Sequence, residues 1–409
     1  MTARPQAAKG YRAGTHRLVS PEETLARAGL HLERMGITRL ANITGLDVIG
    51  IPVVMAVRPG ARSVAVAQGK GLTLDAAKAS AVMESIEAYH AERISLPLRL
   101  ASYEEMAANS TVVDVDSLLR LFNSRYHPSL PILWIEGDDW IGHEPVWVPY
   151  QVVHTAYTVH LKHDLGNFFA STSGLASGNH LLEAVSHGIC ELVERDATTL
   201  MSLEGEDAWA NRRVDLTTVD HGDCQSVLGR FARAGVSVGV WESTRDIRIP
   251  SFQCVIVDRE EDPGRGLCAA RGSGCHPVRH IALLRALTEA AQSRLTLIAG
   301  SREDQLRSDY REMRDPQAIA WHRRLNLSEG DRSFLSAPTF EADTFEEDVA
   351  WELDRLREAG LSRAIVVDLT KADIGVPVAR VIIPGLESSV TAGECMPGVR
   401  AQRVMAARR

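Results

Sequence analysis

Three stretches of the chain repeat one pattern, in which a glycine-rich segment precedes an alanine-rich stretch with helical periodicity. The three pairs are Gly69-Lys70-Gly71 before a helix from about Asp75 to Glu92, Gly174 to Asn179 before a helix from about His180 to Thr198, and Gly272-Ser273-Gly274 before a helix from about Arg279 to Leu297. Repetition of this kind indicates related structural units that pack together. It predicts a glycine turn at the start of each helix.

Each predicted helix carries a glutamate followed three positions later by a second glutamate or a glutamine. The pairs are Glu84 and Glu87, Glu191 and Glu194, and Glu289 and Gln292. The first glutamate follows the last glycine by 13 residues in two units and by 15 in the third. Because residues three or four apart share a helix face, each pair projects on one side of its helix.

The acidic faces of the first two helices also carry other polar side chains. Ser80 falls in the stripe of Glu84 and Glu87, with Val82, Ile86 and Tyr89 on the opposite side. The second helix has one polar face, made of Glu183, His187, Glu191, Glu194 and Arg195. Such a face has two interpretations: an amphipathic helix with a solvated acidic side, or a set of ligands for a cation.

The neighbours of Glu84 and Glu87 favour a cation. A solvated face usually places Lys or Arg three or four residues from each acid, but the positions around these two glutamates hold Ser80, Met83, Ala88, His90 and Ala91. Converging carboxylates repel one another unless a cation lies between them. Mg²⁺ prefers such oxygen ligands and keeps substrate phosphates in its shell.

Glycines before a helix also suit phosphate binding, because the helix N-terminus attracts anions. The sequence has no Gly-x-x-x-x-Gly-Lys-Ser/Thr motif, so it is not a P-loop protein. The glycine-rich stretch 264–274 does not fit a dinucleotide fingerprint either, and it is predicted to be a turn.

Composition and charge restrict the class of protein. The 409 residues are 45% hydrophobic and 24% charged, which is typical of a soluble globular protein. A net charge of −8 argues against binding to nucleic acid or to an anionic membrane. The N-terminus has no apolar signal region, and the longest apolar run, near Ile49–Val57, is too short to span a bilayer. Six cysteines without a Cys-x-x-Cys pair fit a reduced cytoplasm and no zinc site.

Strand and helix patterns alternate along the whole chain. A helix is predicted at Glu346–Ala359, and strands are predicted at Pro52–Arg58, Ser63–Gln68, Val146–Val153, Val236–Trp241, Pro250–Val257, Ala364–Leu369 and Ala379–Ile383. Pro149 inside the third of these strands indicates an edge position or a break. The mixture predicts an α/β, mixed α+β architecture.

The acidic motifs, taken together and in this order, resemble those of the YcaO family. The resemblance runs from about Lys70 to Glu387. Its carriers are Ser80 to Glu87 (SAVMESIE), Glu183-Ala184 with Glu191 to Asp196 (ELVERD), and Arg285 to Arg294 (RALTEAAQSR). It implies a mixed-sheet fold with the repeated units around a central ATP site, an N-terminal arm with the first strands at 1–59, a catalytic ATP-binding domain at 60–390 and a tail at 391–409.

The resemblance also implies a set of ligands for ATP and Mg²⁺. It assigns nucleotide contacts to Ser80, Asn179, Arg195, Arg294, Lys9 and Arg12, and Mg²⁺ to Glu84, Glu87, Glu183, Glu191 and Glu194. Thr15 and Arg17 belong to the same N-terminal arm as Lys9 and Arg12. Two alternatives stay open: Arg294 as a surface residue off the glutamate face, and the arm as a disordered basic tail. His187 is the candidate general base, with a structural role as its alternative.

Members of this family activate a backbone amide of a peptide or protein by phosphorylating its oxygen, which makes phosphate the leaving group. If a neighbouring Cys, Ser or Thr side chain then attacks the activated carbonyl carbon, the product is an azoline. If a sulfide donor attacks it, the product is a thioamide. The sequence ends without the Pro-x-Pro-x-Pro run of many azoline-forming members. It is similar to those that form thioamides beside a TfuA-like partner, with a homodimer also possible. Azoline cyclodehydration and a non-catalytic ATP-binding accessory role are the alternatives.

Overall fold

The computed structural model describes residues 7–158, 166–205, 209–260, 269–305, 307–313, 315–388 and 395–408. The helices are α1 (Pro21–Gly29), α2 (Leu74–Ala91), α3 (Tyr103–Ala107), α4 (Leu181–Glu204), α5 (Gly222–Arg233), α6 (Arg279–Ala299), α7 (Arg307–Met313), α8 (Pro316–Leu327), α9 (Phe345–Glu358) and α10 (Val399–Ala407). The strands are β1 (Arg39–Asn42), β2 (Val53–Val57), β3 (Val66–Lys70), β4 (Leu98–Ala101), β5 (Ile132–Asp139), β6 (Glu144–Pro149), β7 (Leu175–Ser177), β8 (Val214–Asp215), β9 (Val236–Glu242), β10 (Ser251–Asp258), β11 (Ala270–Cys275), β12 (Arg332–Ser333), β13 (Ile365–Asp368) and β14 (Val378–Ile382).

The strands form four sheets, so the mixed α+β class predicted from the sequence is confirmed. Two sheets have three strands, in the orders β1-β2-β3 and β11-β10-β9, and a short parallel pair joins β12 to β8. The largest sheet has the order β4-β5-β13-β14-β7, with β6 paired to β5. Strand β6 ends at Pro149 and pairs with β5 alone among the described strands, as its proline predicts.

Three strand–helix units underlie the sequence repeat: β3 with α2, β7 with α4, and β11 with α6. In each unit three residues separate the strand from the helix, at 71–73, 178–180 and 276–278. The predicted turns at Gly272-Ser273-Gly274 and Gly69-Lys70-Gly71 are therefore wrong, since the first segment pairs with β10 inside β11 and Gly69-Lys70 pairs with β2 inside β3. The start of the predicted turn at 264–274 lies outside the described residues. Sheet pairing supplies backbone hydrogen bonds to a segment whose composition alone favours a turn.

The glycines in these strands allow the following helix to lie unusually close. A Cβ on Gly69 would lie 2.1 Å from the backbone nitrogen of Ala81, and a Cβ on Gly272 would lie 2.2 Å from that of Ala290. Both distances are shorter than any non-bonded contact permits, so glycine is required for this packing. The helix residues that face these glycines include alanines, whose small side chains allow the same close packing.

The three units close into a ring. Helix α2 contacts β7 of the second unit, α4 contacts β11 of the third, and α6 contacts β3 of the first. Each helix therefore packs on its own strand and on the strand of the next unit. The polar faces of the three helices meet in the middle of the ring.

Apolar clusters fix these helices from outside the ring. Ile86 of α2 packs with Trp134 and Ile365 of the largest sheet, and all three side chains are fully buried. Leu287 of α6 packs against the β9–β11 sheet, and Ile189 of α4 packs against β14 and α9. Burying a side chain of this size contributes roughly 1.5–3 kcal/mol, so the apolar faces determine which side of each helix points inward.

The predicted helix near residues 346–359 is confirmed as α9, which begins with a capping box. The Thr344 hydroxyl accepts from the Glu347 backbone N–H while the Glu347 carboxylate accepts from the Thr344 backbone N–H. The cysteines in the described ranges are buried and form no disulfide bond with one another: Cys190, Cys224, Cys254, Cys275 and Cys395. No helix in the described ranges is long and apolar enough to cross a membrane.

Candidate functional site

A cavity of about 990 Å³ lies at the centre of the ring. Its volume is at the upper end of the range for small-molecule sites, about 300–1,000 Å³. Most of the site residues expected from the sequence line it: Ser80, Glu84, Glu87, Asn179, Glu183, His187, Glu191, Glu194 and Arg195. The structure therefore brings together, around one cavity, motifs that lie about 100 residues apart in the chain.

The first glutamate of each pair occupies the same place in its unit. Glu84, Glu191 and Glu289 are each the eleventh residue of their helix. Each accepts a hydrogen bond from a backbone N–H at the strand of its own unit: Gln68 N at 3.3 Å, Gly174 N at 3.0 Å and Ser273 N at 3.3 Å, respectively. The unequal glycine spacing in the sequence arises because the third glycine pair lies inside the strand.

The residue three positions later reaches across to another unit. Glu87 Oε1 accepts from the backbone N–H and the hydroxyl of Ser177, at 2.8 Å and 2.7 Å. Gln292 Nε2 donates to the carbonyl oxygen of Gln68 at 2.8 Å. These contacts fix the second position of two helices on the strand of the next unit around the ring.

Three of the cavity carboxyls hold protons more tightly than usual. Burial, the largest cause, raises the pKa of Glu84 to about 7, of Glu87 to about 8 and of Glu194 to about 7. Neighbouring carboxylates, among them Glu191, add to the rise in each case. A cation placed between these groups would favour their charged forms.

The cavity walls suit Mg²⁺ bound together with phosphate. Within the described part of the chain, no three His, Cys, Asp or Glu side chains converge into a metal-binding cluster of their own. Mg²⁺ is usually held by one or two carboxylates together with substrate phosphates and water. Carboxylates on opposite walls fit that mode, in which Glu84, Glu87, Glu191 and Glu194 would be the protein ligands.

Several buried polar atoms on the cavity residues lack a hydrogen-bond partner. In the described ranges these include Thr15 Oγ1, Gln68 Nε2, His187 Nδ1 and Gln292 Oε1. All four side chains line the cavity. A buried polar group without a partner is costly to keep, so these four atoms are available to bind a polar ligand in the cavity.

Cations balance part of the acidic charge. Arg195 lies 3.6 Å from both Glu191 and Glu194. Lys70 Nζ lies 2.9 Å from Glu289 Oε2, and although burial raises the pKa of Glu289, Lys70 and Arg195 together hold it below its ordinary value.

The sequence analysis named Lys70, Arg285 and Glu289 as members of the repeat motifs but gave none of them a ligand role, and all three line the cavity. Arg285 donates to the Cys275 carbonyl oxygen at 2.9 Å. Arg285 and Glu289 lie inside the third motif, and Lys70 lies inside the first glycine segment, so their positions in the repeat were the available signal.

Glu183 lines the cavity, but its carboxylate is already partnered. It accepts from the Leu18 backbone N–H at 3.1 Å and lies 3.4 Å from Arg17 Nη1. Asn179 Nδ2 donates to the Thr24 hydroxyl at 3.0 Å. Both residues therefore hold the N-terminal segment against the second unit, and a metal role for Glu183 would require it to release Arg17.

His187 is partly exposed to the cavity. Burial, followed by the nearby charges of Arg285, Arg17 and Lys70, lowers its pKa well below the ordinary value. The neutral imidazole is therefore the stable form, and a base of such low pKa takes up a proton weakly. A catalytic role for His187 stays a prediction.

Lys9 and Arg12 do not line the cavity among the described residues, and the nucleotide contacts implied for them stay a prediction. Lys9 Nζ is 2.6 Å from Asp348 Oδ2, with both side chains fully buried. It also donates to the Ala342 carbonyl oxygen at 2.9 Å. Arg12 pairs on the surface with Glu341 and Asp343. These contacts hold the described part of the arm, from Ala7 onward, and Thr15 and Arg17 in it line the cavity.

Arg294 also lies away from the cavity, because it projects about 140° around α6 from Glu289 at 100° per residue. It is neither a surface residue nor a cavity residue. Its side chain is buried between Asp47 and Asp258, at 3.0 Å from each.

The fold and the cavity define a mixed α+β protein with a carboxylate-lined site for a polar ligand. The family model described as YcaO cyclodehydratase, ATP- and Mg²⁺-binding, matches residues 68–387. The chain belongs to the YcaO family, which agrees with the ATP and Mg²⁺ expected from the sequence.

Relatives and solved structures agree with this assignment. A Rhizobium leguminosarum bv. trifolii protein, named as uncharacterized in the tfuA 3' region, is 37% identical, with 94% of this chain and 92% of the relative covered. An uncharacterized protein of Methanothermobacter thermautotrophicus is 36% identical, over 90% of this chain and 94% of that protein.

Two solved structures share the fold. YcaO from Methanopyrus kandleri, bound with AMPPCP and Mg²⁺, has a TM-score of 0.73 and 24% identity, over 96% of this chain and 98% of that one. A heterocyclase in complex with substrate and cofactor has a TM-score of 0.76 and 22% identity, over 94% of this chain and 54% of that one.

Proposed function

We propose that this protein uses ATP and Mg²⁺ to activate a backbone amide of a peptide or protein by phosphorylating the amide oxygen. The observation that carries the proposal is the set of buried, mutually repelling carboxylates from α2 and α4 that face one cavity. Such an arrangement is costly for the empty protein and favourable around metal-bound phosphate.

Different residues of the cavity would bind Mg²⁺ and stabilise the transferred phosphoryl group. Bound Mg²⁺ would neutralise charge on the triphosphate of ATP, and Glu84, Glu87, Glu191 and Glu194 would hold it. Arg195 would contact phosphate oxygens with its planar fork and stabilise charge on the phosphoryl group during transfer.

The product we propose is a thioamide, formed with a TfuA-like partner. The support is the 37% identical relative, whose name places it beside tfuA. The amide oxygen takes the γ-phosphoryl group and ADP leaves. A hydrosulfide donor then attacks the carbonyl carbon, the C–O bond breaks, and phosphate departs with the former amide oxygen. No electrons are transferred overall.

Azoline formation is the second candidate. The family model is described as a cyclodehydratase, and a heterocyclase shares the fold. In this case a Cys, Ser or Thr side chain of the substrate is the nucleophile, and the oxygen again departs as phosphate. The two candidates share the activation step and differ only in the nucleophile.

The test is ATP turnover with a candidate peptide, with and without sulfide and a TfuA-like protein. Sulfide-dependent ADP release, with a mass gain of sulfur in place of oxygen, supports thioamide formation. Sulfide-independent loss of water from a Cys-containing peptide supports the azoline. If ATP binds but no combination gives turnover, the accessory-factor interpretation replaces both.

Glu191→Ala and Glu194→Ala supply the site control. Both variants should lose Mg²⁺–ATP binding, measured by calorimetry, while their far-UV circular dichroism stays native. Unchanged nucleotide affinity in both variants would remove these residues from the site.

A further inference from the structure

The three units of the ring are equivalent in geometry but not in charge. The first unit has Glu84 and Glu87 and the second has Glu191 and Glu194, whereas the third has Glu289 and the neutral Gln292. Gln292 uses its amide to bind the strand of the first unit. The third unit therefore offers a single carboxylate at the place where the others offer two.

That single carboxylate already has a cation. Lys70 Nζ lies 2.9 Å from Glu289 Oε2, and about a quarter of each side chain stays exposed. Lys70 is the last residue of β3, the strand on which α6 packs when the ring closes. Closure of the ring therefore places the Lys70 ammonium beside Glu289, on the side of the cavity that α6 forms.

Lys70 lines the same cavity as Glu84 of the first unit and Glu194 of the second. The ammonium is consequently within electrostatic reach of all three walls. Three N–H donors on a flexible stem allow it to bind Glu289 and a further oxygen anion at the same time.

We propose that Lys70 is a nucleotide-binding residue, whose ammonium, held beside Glu289, would contact phosphate oxygens of ATP. This inference rests on the proposed function, since the anion it would meet is the triphosphate of ATP. Lys70 supplies a positive charge beside the third unit, which lacks a second carboxylate. Glu289 positions that charge through its ion pair with Lys70.

The experiment measures the affinity of the full-length protein for AMPPCP in the presence of Mg²⁺ by calorimetry. Lys70→Met should weaken binding by roughly 10- to 100-fold, the range expected for the loss of one charge-assisted hydrogen bond. Lys70→Arg, which retains the charge, should recover most of the affinity. Lys78→Met is the matched control, because Lys78 pairs with Asp75 on the surface of α2, away from the cavity.

Thermal unfolding without nucleotide separates binding from folding. A native melting temperature for Lys70→Met together with weakened AMPPCP binding supports the proposal. Wild-type affinity in Lys70→Met overturns it and leaves the proposed function intact. Absence of AMPPCP binding by the wild-type protein overturns the proposed function itself. If Lys70→Met does not fold, Lys70→Gln takes its place, with the same two outcomes for its affinity.

Discussion

The guanidinium Nε of Arg294 lies 3.0 Å from Oδ2 of Asp47, and both side chains are almost fully buried. Nη2 of the same guanidinium lies 3.0 Å from Asp258. Arg294 thereby fastens α6 to the segment after β1 and to the last residue of β10. Both ion pairs lie on the side of α6 that faces away from the cavity.

Arg294→Ala should destabilise the fold by about 3–5 kcal/mol, because it leaves two buried carboxylates without their cation. Urea unfolding followed by circular dichroism measures the loss. Nucleotide affinity of the protein that remains folded should change little, since Arg294 does not reach the cavity. Native stability combined with lost nucleotide binding would contradict the structural role.

Lys9 and Asp348 should behave as a coupled pair. Lys9→Met and Asp348→Asn each leave one buried charge unpaired, so each should cost several kcal/mol. The double variant should cost less than the sum of the two, because neither charge is then left alone. Urea unfolding of all four proteins gives the coupling energy.

The same four proteins, namely the wild type, the two single variants and the double variant, also test whether Lys9 contacts the nucleotide. If Lys9 acts only through Asp348, both single variants should weaken AMPPCP binding alike, and the double variant no more than either. A loss of affinity confined to the variants that lack Lys9 would restore the nucleotide contact implied by the family resemblance. Arg27→Met, on an exposed pair with Glu23 in α1, serves as the control.

Gly272→Ala should destabilise the third unit. Its Cβ would lie 2.2 Å from the Ala290 backbone nitrogen, so α6 would have to move away from β11. Overpacking of this kind typically costs about 1–3 kcal/mol. Gly60→Ala is the matched control, since its Cβ would meet no atom within 4 Å. Equal melting temperatures for both variants would contradict the close packing.

Stability without nucleotide should fall as pH rises from about 5 to 8. Glu84, Glu87 and Glu194 have folded-state pKa values of about 7, 8 and 7, above the ordinary value of 4.5. The folded protein therefore binds more protons than the unfolded chain over this range, and that stabilisation is lost as pH rises. Melting temperatures across pH, compared with those of Glu84→Gln/Glu87→Gln, provide the measurement. A pH profile that the double variant does not flatten would argue against these residues as its source.

Binding of Mg²⁺ and AMPPCP near pH 7 should release protons for the same reason, because the carboxyls must ionise to hold the metal. Calorimetry in two buffers of different ionisation enthalpy counts the protons. Equal binding enthalpies in the two buffers would mean that these carboxyls are already ionised before the ligand arrives.

The helices of the repeat could be predicted because local information determines them. The acid pairs recur at helical spacing, and α9 has its own Thr-x-x-Glu start signal, so these helices appear within a few residues of their predicted bounds. Local pattern also places Glu84, Glu87, Glu191 and Glu194 on shared faces. Such features depend on residues three or four apart, which the sequence displays directly.

Features that depend on distant partners could not be predicted. The strand at Ala270–Cys275 resembles a turn by composition, and only pairing with β10 makes it a strand. Strand β5 ends in Glu136-Gly137-Asp138-Asp139, and buried Asp139 is tolerated because Arg363 and the Ala364 N–H bind its carboxylate. Asp47 lies 247 residues from Arg294. No local pattern encodes such pairings.

The side chains that reach from one unit to the next have a consequence for how this protein can vary. Because Glu87 is held by Ser177 and Gln292 by Gln68, a shift of one helix is transmitted to a neighbouring wall. The shape of the ligand pocket therefore depends on all three units of the ring together. A substitution that moves one helix should also change the ligand contacts made by the neighbouring unit.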